Sequence, residues 1–407
     1  MGYGENDTAV PNDALAQDVA GRIAGHGEEL AELAWENERL GQLSPRSAQI
    51  LRSAGLMRLL QPRQHGGLGG TPGQFLEAVI ATARHDGAAG WVAGVVGVHP
   101  WEVALLDPRV GEEIWGENQD TWVASPYTPS GIAQPVEGGY RLNGRWQFSS
   151  GTDHADWVFL GALVGDAQGR PASPPRMLHV ILPRRDYRII DDSWDVIGLL
   201  GTGSKDVVVE NAFIPAYRVL DYDVLASGNA AQQAGLTDPI YRLPFSVIFP
   251  VGITGAIIGM AEGALAAHAA YQRDRVSAAG TKLRDDPYSG YFTGEAAAEV
   301  QASRLQLLDG INWAYDQVRA GKELSFEDRS RIRRNQIRCA WRAVAALDTV
   351  YARSGGNASR RSNPIQRFWR DAHVGLNHFI HVPGPSYHAN AIVQYGLQPP
   401  EPLRVGI

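Results

Sequence analysis

The sequence predicts an α+β protein built in three consecutive blocks, helical, then β-rich, then helical, and three observations carry that prediction. From Ala14 to about Asn118 apolar residues recur at helical spacing, as in Leu30, Leu33 and Ala34 and again in Ile50, Leu51, Ala54 and Leu56. Between Thr121 and about Ile214 the period changes to two, and one strand-like run follows another. From about Leu243 to Gly355 the helical period returns. No dinucleotide-binding glycine fingerprint, internal repeat or low-complexity tract interrupts this order.

Each block carries its own punctuation. In the first, Ser44-Pro45 reads as a helix N-cap with proline at the first helical position, where its missing N–H is no loss. Gln61 to Pro72 is a glycine-rich connector that leads into another helix, and it lacks the Gly-Lys pair of a phosphate loop. In the second block Trp122-Val-Ala, Gly139 to Phe148, Trp157 to Val164, Met177 to Pro183 and Asp206 to Pro215 are short runs bounded by Gly, Pro or Asn. Strands without crossover helices predict an antiparallel barrel or sandwich, not a doubly wound sheet. The third block opens with Val251 to Ala267, whose many Gly and Ala residues let helices approach closely, as in the buried centre of a bundle.

Composition narrows the function. The 407 residues are 44% hydrophobic and 20% charged, an ordinary globular balance. No apolar run reaches the ~18 residues of a membrane span, since Phe245 to Ala267 is broken by Ser, Thr, Pro, several Gly and Glu262. Met1 to Asp7 has neither a basic n-region nor an apolar h-region, so a cytoplasmic protein without a membrane partner is expected. The one cysteine, Cys339, excludes an internal disulfide and a thiolate metal cluster within the chain. A net charge of -7 disfavours nucleic acid, and the basic run Arg329 to Arg338, just after Glu323, Glu327 and Asp328, reads as a solvated or ion-paired helix face.

Arg145 to Trp157 is the segment richest in chemistry: a strand running into a turn where Ser149 and Ser150 lie among Trp146, Phe148 and Trp157. Rings beside hydroxyls suit a bound heterocycle. A second signal is the His-rich stretch Arg370 to His378. Asp371, His373, His378 and His381 resemble a carboxylate-histidine cluster, but no second carboxylate pair and no His-Glu-x-x-His motif supports them, so no metal site is expected. His154, between Asp153 and Asp156, reads as a residue that fixes the turn after the strand.

Several motifs, taken together, resemble the acyl-CoA dehydrogenase fold: Gly66-Gly-Leu-Gly-Gly70, Asn143-Gly-Arg-Trp146 and Gly198-Leu-Leu-Gly-Thr-Gly-Ser204. Gly90 to His99, Trp146 to Trp157, Gly201 to Lys205 and Pro364 to His373 are similar, more closely, to the flavin-dependent monooxygenases built on that fold. These are the oxygenase components of two-component phenol hydroxylases, such as the 3-hydroxy-9,10-secoandrostatriene-dione and p-hydroxyphenylacetate hydroxylases. The likeness runs from about Ala14 to Leu397. It implies an N-terminal helical domain over 1–120, a middle antiparallel β-barrel over 121–225 and a C-terminal four-helix bundle over 226–407. It also implies a diffusible reduced FMN or FAD from a separate NAD(P)H:flavin reductase, O2 as co-substrate, and oxygen activation as a flavin C4a-hydroperoxide. One oxygen atom would then enter a small aromatic or polycyclic substrate, within a homotetramer. The resemblance puts flavin contacts on Trp91, Ser125, Pro126, Tyr127, Phe148, Ser149, Ser150, Arg275, His378 and Phe379, with Gly356 and Asn357 in a loop that reaches the flavin of another subunit.

Chemistry assigns roles within that set. The flavin N5 proton must be held and water kept out; Ser149 or Ser150 suits the first task and the Trp and Phe residues the second. A phenol, with a pKa near ~10, is a stronger nucleophile once a base takes its proton. Two histidines match the family's active-site positions. The resemblance makes His378 the expected base or proton-transfer partner and His99 the residue that orients the substrate hydroxyl, imidazole titrating where such a transfer needs it. Two other chemistries share the fold. An acyl-CoA dehydrogenase or oxidase needs a carboxylate base over the flavin, and the sequence has no Asp or Glu from Ala372 to Pro400. N- or S-oxygenation needs no phenolate at all.

Overall fold

Helix starts follow the capping chemistry. Ser44 caps Pro45–Ser53 by accepting from Ser47 N, and Thr71 with Gln74 forms a reciprocal capping box at the head of Pro72–Ala83. The computed structural model describes residues 12–166, 168–277, 280–404 and 406–407; Met1 to Asp7, read above for a leader, lie outside them.

Among the described residues eight α-helices precede the sheet: α1 (Asn12–Gln17), α2 (Val19–Gly25), α3 (Gly27–Leu40), α4 (Pro45–Ser53), α5 (Pro72–Ala83), α6 (Gly87–Val96), α7 (His99–Val103) and α8 (Pro108–Trp115). The strands are β1 (Val123–Ala124), β2 (Gly131–Val136), β3 (Gly139–Ser149), β4 (Trp157–Val164), β5 (Met177–Pro183), β6 (Arg188–Ile190), β7 (Lys205–Pro215) and β8 (Val219–Asp221). They form one sheet in the order β6-β7-β3-β2-β4-β5-β8, with β1 beside β4. The antiparallel expectation holds for most pairs but not for β2 with β4 or β1 with β4, which are parallel. The reason is topological. After the β2-β3 hairpin, β4 returns along the free edge of β2 and so runs in the same direction. The hydrogen-bonded path ends at β6 and β8 without joining them, so among the described residues the sheet is not closed by pairing.

Helices then resume as α9 (Tyr222–Ser227), α10 (Ala230–Gln233), α11 (Phe245–Asp274), α12 (Pro287–Arg319), α13 (Phe326–Arg353), α14 (Pro364–Leu376) and α15 (Pro383–Gln394). Helix α11 is the hub, packing on α12, α13 and α14 and on α5 and α6 of the N-terminal block. Its length and mean hydropathy of 1.6 would allow a membrane span, but 94% of that apolar window is buried inside the protein. The small residues do what the sequence implied. A Cβ on Gly252 would lie 2.4 Å from the Gly94 carbonyl oxygen, so α11 and α6 cross at backbone contact.

The basic run of α13 differs from the expected solvated or ion-paired face. Arg331 pairs with Asp328 at 3.4 Å, but Arg329 donates to the Ala226 carbonyl, Arg334 to Asn390, and Arg333 is buried. Cys339 is buried, and His154 fixes its turn through the Leu43 carbonyl at 2.8 Å.

Candidate active site

A cavity of about 380 Å³ opens where the end of β3, the Trp194–Ser204 loop, α6 and the end of α14 converge. Its walls are largely apolar: Trp91 and Val95 from α6, Phe148, Trp194, Val196, Leu199, Phe249 and Phe379. Polar groups are few. They are Ser125, Thr128, Gln147, Ser150, Ser204, Asn377 and His378, and none of the lining residues is Asp or Glu.

Strand β3 delivers the hydroxyl through an irregularity. Its pairing with β7 shifts between Trp146 and Ser149, and Phe148 has φ 69°, a left-handed value that non-glycine residues seldom adopt. Phe148 is thereby 61% exposed at the mouth, edge-on to Trp194 at 6.3 Å. Ser149 and Ser150 then separate. Ser150 lines the cavity, whereas Ser149 does not and its buried Oγ has no partner. The Ser149 side chain, expected to contact the flavin, therefore does not reach this cavity, because the strand ends at Ser149 and the left-handed turn at Phe148 sets Ser150, not Ser149, into the wall.

The hydrogen bonds around Ser150 fix its polarity. Thr202 Oγ1 spends its one proton on the Leu199 carbonyl at 2.8 Å, so at 2.7 Å it accepts from Ser204. Ser204, its proton committed, accepts from Ser150 at 2.7 Å. Trp91 Nε1–H donates to Ser150 Oγ at 3.2 Å. What Ser150 has left for the cavity is a lone pair, which can accept from an N–H or O–H donor there.

His378 caps the turn Phe379–His381, its Nδ1 accepting from Ile380 N–H at 3.3 Å. Its ring stands edge-on to Trp91 at 5.9 Å. Burial, then the Arg333 guanidinium, holds its pKa down at about 4. With Nδ1 accepting, the neutral ring carries its proton on Nε2. Both features weaken the base expected here, since a proton acceptor works best with a pKa near the working pH.

His99 does not line the cavity. It is fully buried, its Nδ1 bonded to the Val123 carbonyl and its ring 5.7 Å from that of Tyr127, which occupies the wall itself. The contact expected between His99 and a substrate hydroxyl is thus not available from the cavity lining. Tyr127 donates to Glu102 Oε2 at 2.5 Å, and Glu102 Oε1 meets His179 Nδ1 at 2.6 Å, all three buried. Burial and the Glu102 charge push the Tyr127 pKa up, so its hydroxyl stays protonated.

Arg275 lies against Ser354 and Gly355, just before Gly356 and Asn357, and none of the three expected residues lines the cavity. Arg275 Nη1 donates to the Ser354 carbonyl at 3.0 Å, and its guanidinium lies so close to Gly355 that a Cβ there would be 2.3 Å from Nη2. Residues missed in the sequence are Trp194, Ser204, Thr202, Asn377 and the Glu102-His179 pair. Ser204 closes a glycine motif that was singled out, and Glu102 is a lone charge in the apolar run Trp101 to Leu106, a usable signal.

Residues 251–383 match the family model for the acyl-CoA dehydrogenase C-terminal domain. A pigment production hydroxylase of Rhodococcus erythropolis is 49% identical over 97% of this chain and 100% of its own length. The flavin-dependent monooxygenase oxygenase subunit HsaA of Mycobacterium tuberculosis is 40% identical, over 94% of this chain and 97% of its own. The chain belongs to the flavin-dependent aromatic hydroxylases, as an oxygenase component. A crystal structure of that HsaA monooxygenase covers 95% of this chain and 99% of its own with a TM-score of 0.89 at 39% identity, so the acyl-CoA dehydrogenase-like fold is shared. Another member, the oxygenase component of an FADH2-dependent resorcinol hydroxylase of a Rhizobium strain, is 32% identical over 88% of this chain and 90% of its own. A reduced flavin is the cofactor of this family, and the cavity fits one: largely aromatic and apolar walls with a few polar groups, among them Ser150 with a lone pair left to accept.

Proposed function

We propose that this chain hydroxylates a phenolic or polycyclic aromatic substrate in the Trp91-Ser150-His378 cavity, using reduced FMN or FAD supplied by a separate NAD(P)H:flavin reductase. The observation that carries the proposal is the polarity of Ser150, an acceptor aimed into an apolar cavity that His378 also lines. When bound, the reduced flavin supplies the activation of O2. The protein's own part is to hold and to exclude. Ser150 keeps a flavin N–H proton in place, Trp91, Phe148 and Trp194 keep water out, and His378 meets the substrate hydroxyl and shares its proton. The lack of a carboxylate in the lining argues against α-proton removal, the step an acyl-CoA dehydrogenase or oxidase requires.

Arg275 and the Gly356-Asn357 loop lie outside this cavity, and the packing of Arg275 on Ser354 and Gly355 beside that loop supports a role toward the flavin of another copy in a homotetramer. A cytoplasmic setting suits a partner reductase that draws on NAD(P)H. The test is a single turnover with pre-reduced flavin, O2 and a panel of phenols. A hydroxylated product from reduced flavin alone is expected; oxidation of NADH by the chain without a reductase, or turnover of an acyl-CoA, would sink the proposal.

A further inference from the structure

Arg333 breaks the rule of its own helix. It is 4% exposed. Its Nη1 donates to Gln336 Oε1 at 2.6 Å and its Nη2 to the Ile380 carbonyl at 2.6 Å, while Gln336 ties on to the Val247 carbonyl of α11 at 2.8 Å. Among the described residues no carboxylate is paired with it; Tyr222 of α9 is the acidic group nearest in effect. Burying a cation without a counter-ion is costly, so its position calls for a use.

That use is read from Ile380. The residue is gripped at both ends, its carbonyl by Arg333 and its N–H by His378 Nδ1. Burial comes first in lowering the proton affinity of His378, and Arg333 from α13 is the charged group that adds to it; the His381 ring stands 6.5 Å away on the same turn and uncharged Trp91 lies against the imidazole. His381 is itself engaged with Thr254 of α11 at 3.1 Å.

We infer that Arg333 is a positioning residue for His378: by holding Ile380 and placing an unpaired positive charge beneath the turn, it sets the imidazole as a neutral ring with Nε2–H directed to the cavity. The inference rests on the reading that this cavity takes a phenol. His378 then acts as a hydrogen-bond donor that favours the phenolate form of the substrate, rather than as a strong base that strips the phenol. The low proton affinity of His378 agrees with this, since a nearby cation disfavours the imidazolium.

The experiment is NMR of the full chain with 15N-labelled histidine, the His378 signal being identified by its loss in His378→Ala. The parental ring is expected neutral and protonated on Nε2 from pH ~8 down to ~5, against an ordinary histidine value of ~6.5. Arg333→Gln keeps a donor for Ile380 but loses the charge, and should raise the protonation midpoint of His378 by about one unit. Arg333→Lys should return it toward the parental value, a rescue that packing alone does not explain. An Nδ1-protonated parental ring, an ordinary parental midpoint, or an identical titration in Arg333→Gln each overturns the inference, and the parental titration decides by itself if the variants do not fold. The functional reading fails separately, if His378→Ala hydroxylates phenols at the parental rate while the NMR pattern is as expected.

Discussion

Replacing Ser150 by alanine removes one oxygen and unbalances a chain of four groups. Trp91 Nε1–H, now donating at 3.2 Å, loses its acceptor, and Ser204 loses the donor at 2.7 Å. Trp91 is 5% exposed, so its N–H is left unpaired at a cost of about 1–3 kcal/mol in stability. Toward the cavity the loss is one neutral hydrogen bond to a flavin N–H, about 1 kcal/mol, or up to about tenfold in rate. The expected result is a several-fold rise in H2O2 released per O2 consumed, a matching fall in hydroxylated product, and a lower melting temperature. Ser149→Ala is the control. Its hydroxyl is buried, unpartnered and outside the cavity, so removing it should leave coupling unchanged and stability equal or slightly higher. Single-turnover mixing of reduced flavin, O2 and a phenol, with peroxide and product quantified together, separates the two. Equal peroxide yields from Ser150→Ala and the parent would refute the polarity argument, and a leak in Ser149→Ala instead would mean the two serines had been exchanged.

Further outcomes follow from the same geometry. His378→Gln can place an amide donor near the position of Nε2 but cannot take up a proton; it should retain clearly more hydroxylation than His378→Ala, and equal losses of ~10²-fold or more in both would restore the general base. His99, His378 and His381 are held at about 4, about 4 and about 3, chiefly by burial. Their unfolded forms therefore bind protons first as pH falls below ~6.5, and stability, full above that value, should decline toward pH 4 by about 1 kcal/mol per pH unit for each histidine; a flat denaturant midpoint between pH 6.5 and 4.5 would contradict this. Gly94→Ala would set a Cβ 2.6 Å from the Gly252 carbonyl oxygen, forcing α6 off α11, and should cost about 1–3 kcal/mol or more, read as a drop in melting temperature together with weaker reduced-flavin binding.

The block order was readable because hydrophobic period survives tertiary packing, and the Ser44 cap and the small residues of α11 had local causes. Strand direction was not readable in full: the β2-β4 pairing depends on which edge a returning strand finds, and no residue in either strand encodes that. At the site, Trp146 to Trp157 advertised its aromatic and hydroxyl content, yet the distinction between Ser149 and Ser150 needed Trp91 and Ser204, 59 and 54 residues away in sequence. His99 is expected at the site because it matches a family position, whereas a histidine in an apolar helix taken singly reads as a core residue; the structure buries it against Tyr127, outside the cavity lining. Arg333 was hidden in the opposite way, as one of several arginines in a run whose other members are half-buried or exposed.

The two sides of the cavity are built to different tolerances. Trp91 rides on α6, whose backbone touches that of α11 and whose indole leaves 2.7 Å for a Cβ on Gly375, so that side has no slack. The opposite side, Trp194 to Leu199, is pinned by two residues of α14: Asp371 accepts from Leu199 N at 2.6 Å, and Arg370 reaches the Ile197 carbonyl at 2.5 Å. Ile197 itself is 74% exposed. Side chains on that loop can therefore be exchanged while its two backbone anchors stay in place, which makes Val196, a cavity-lining loop residue next to the Ile197 anchor, the position where a library would retune which aromatic ring enters.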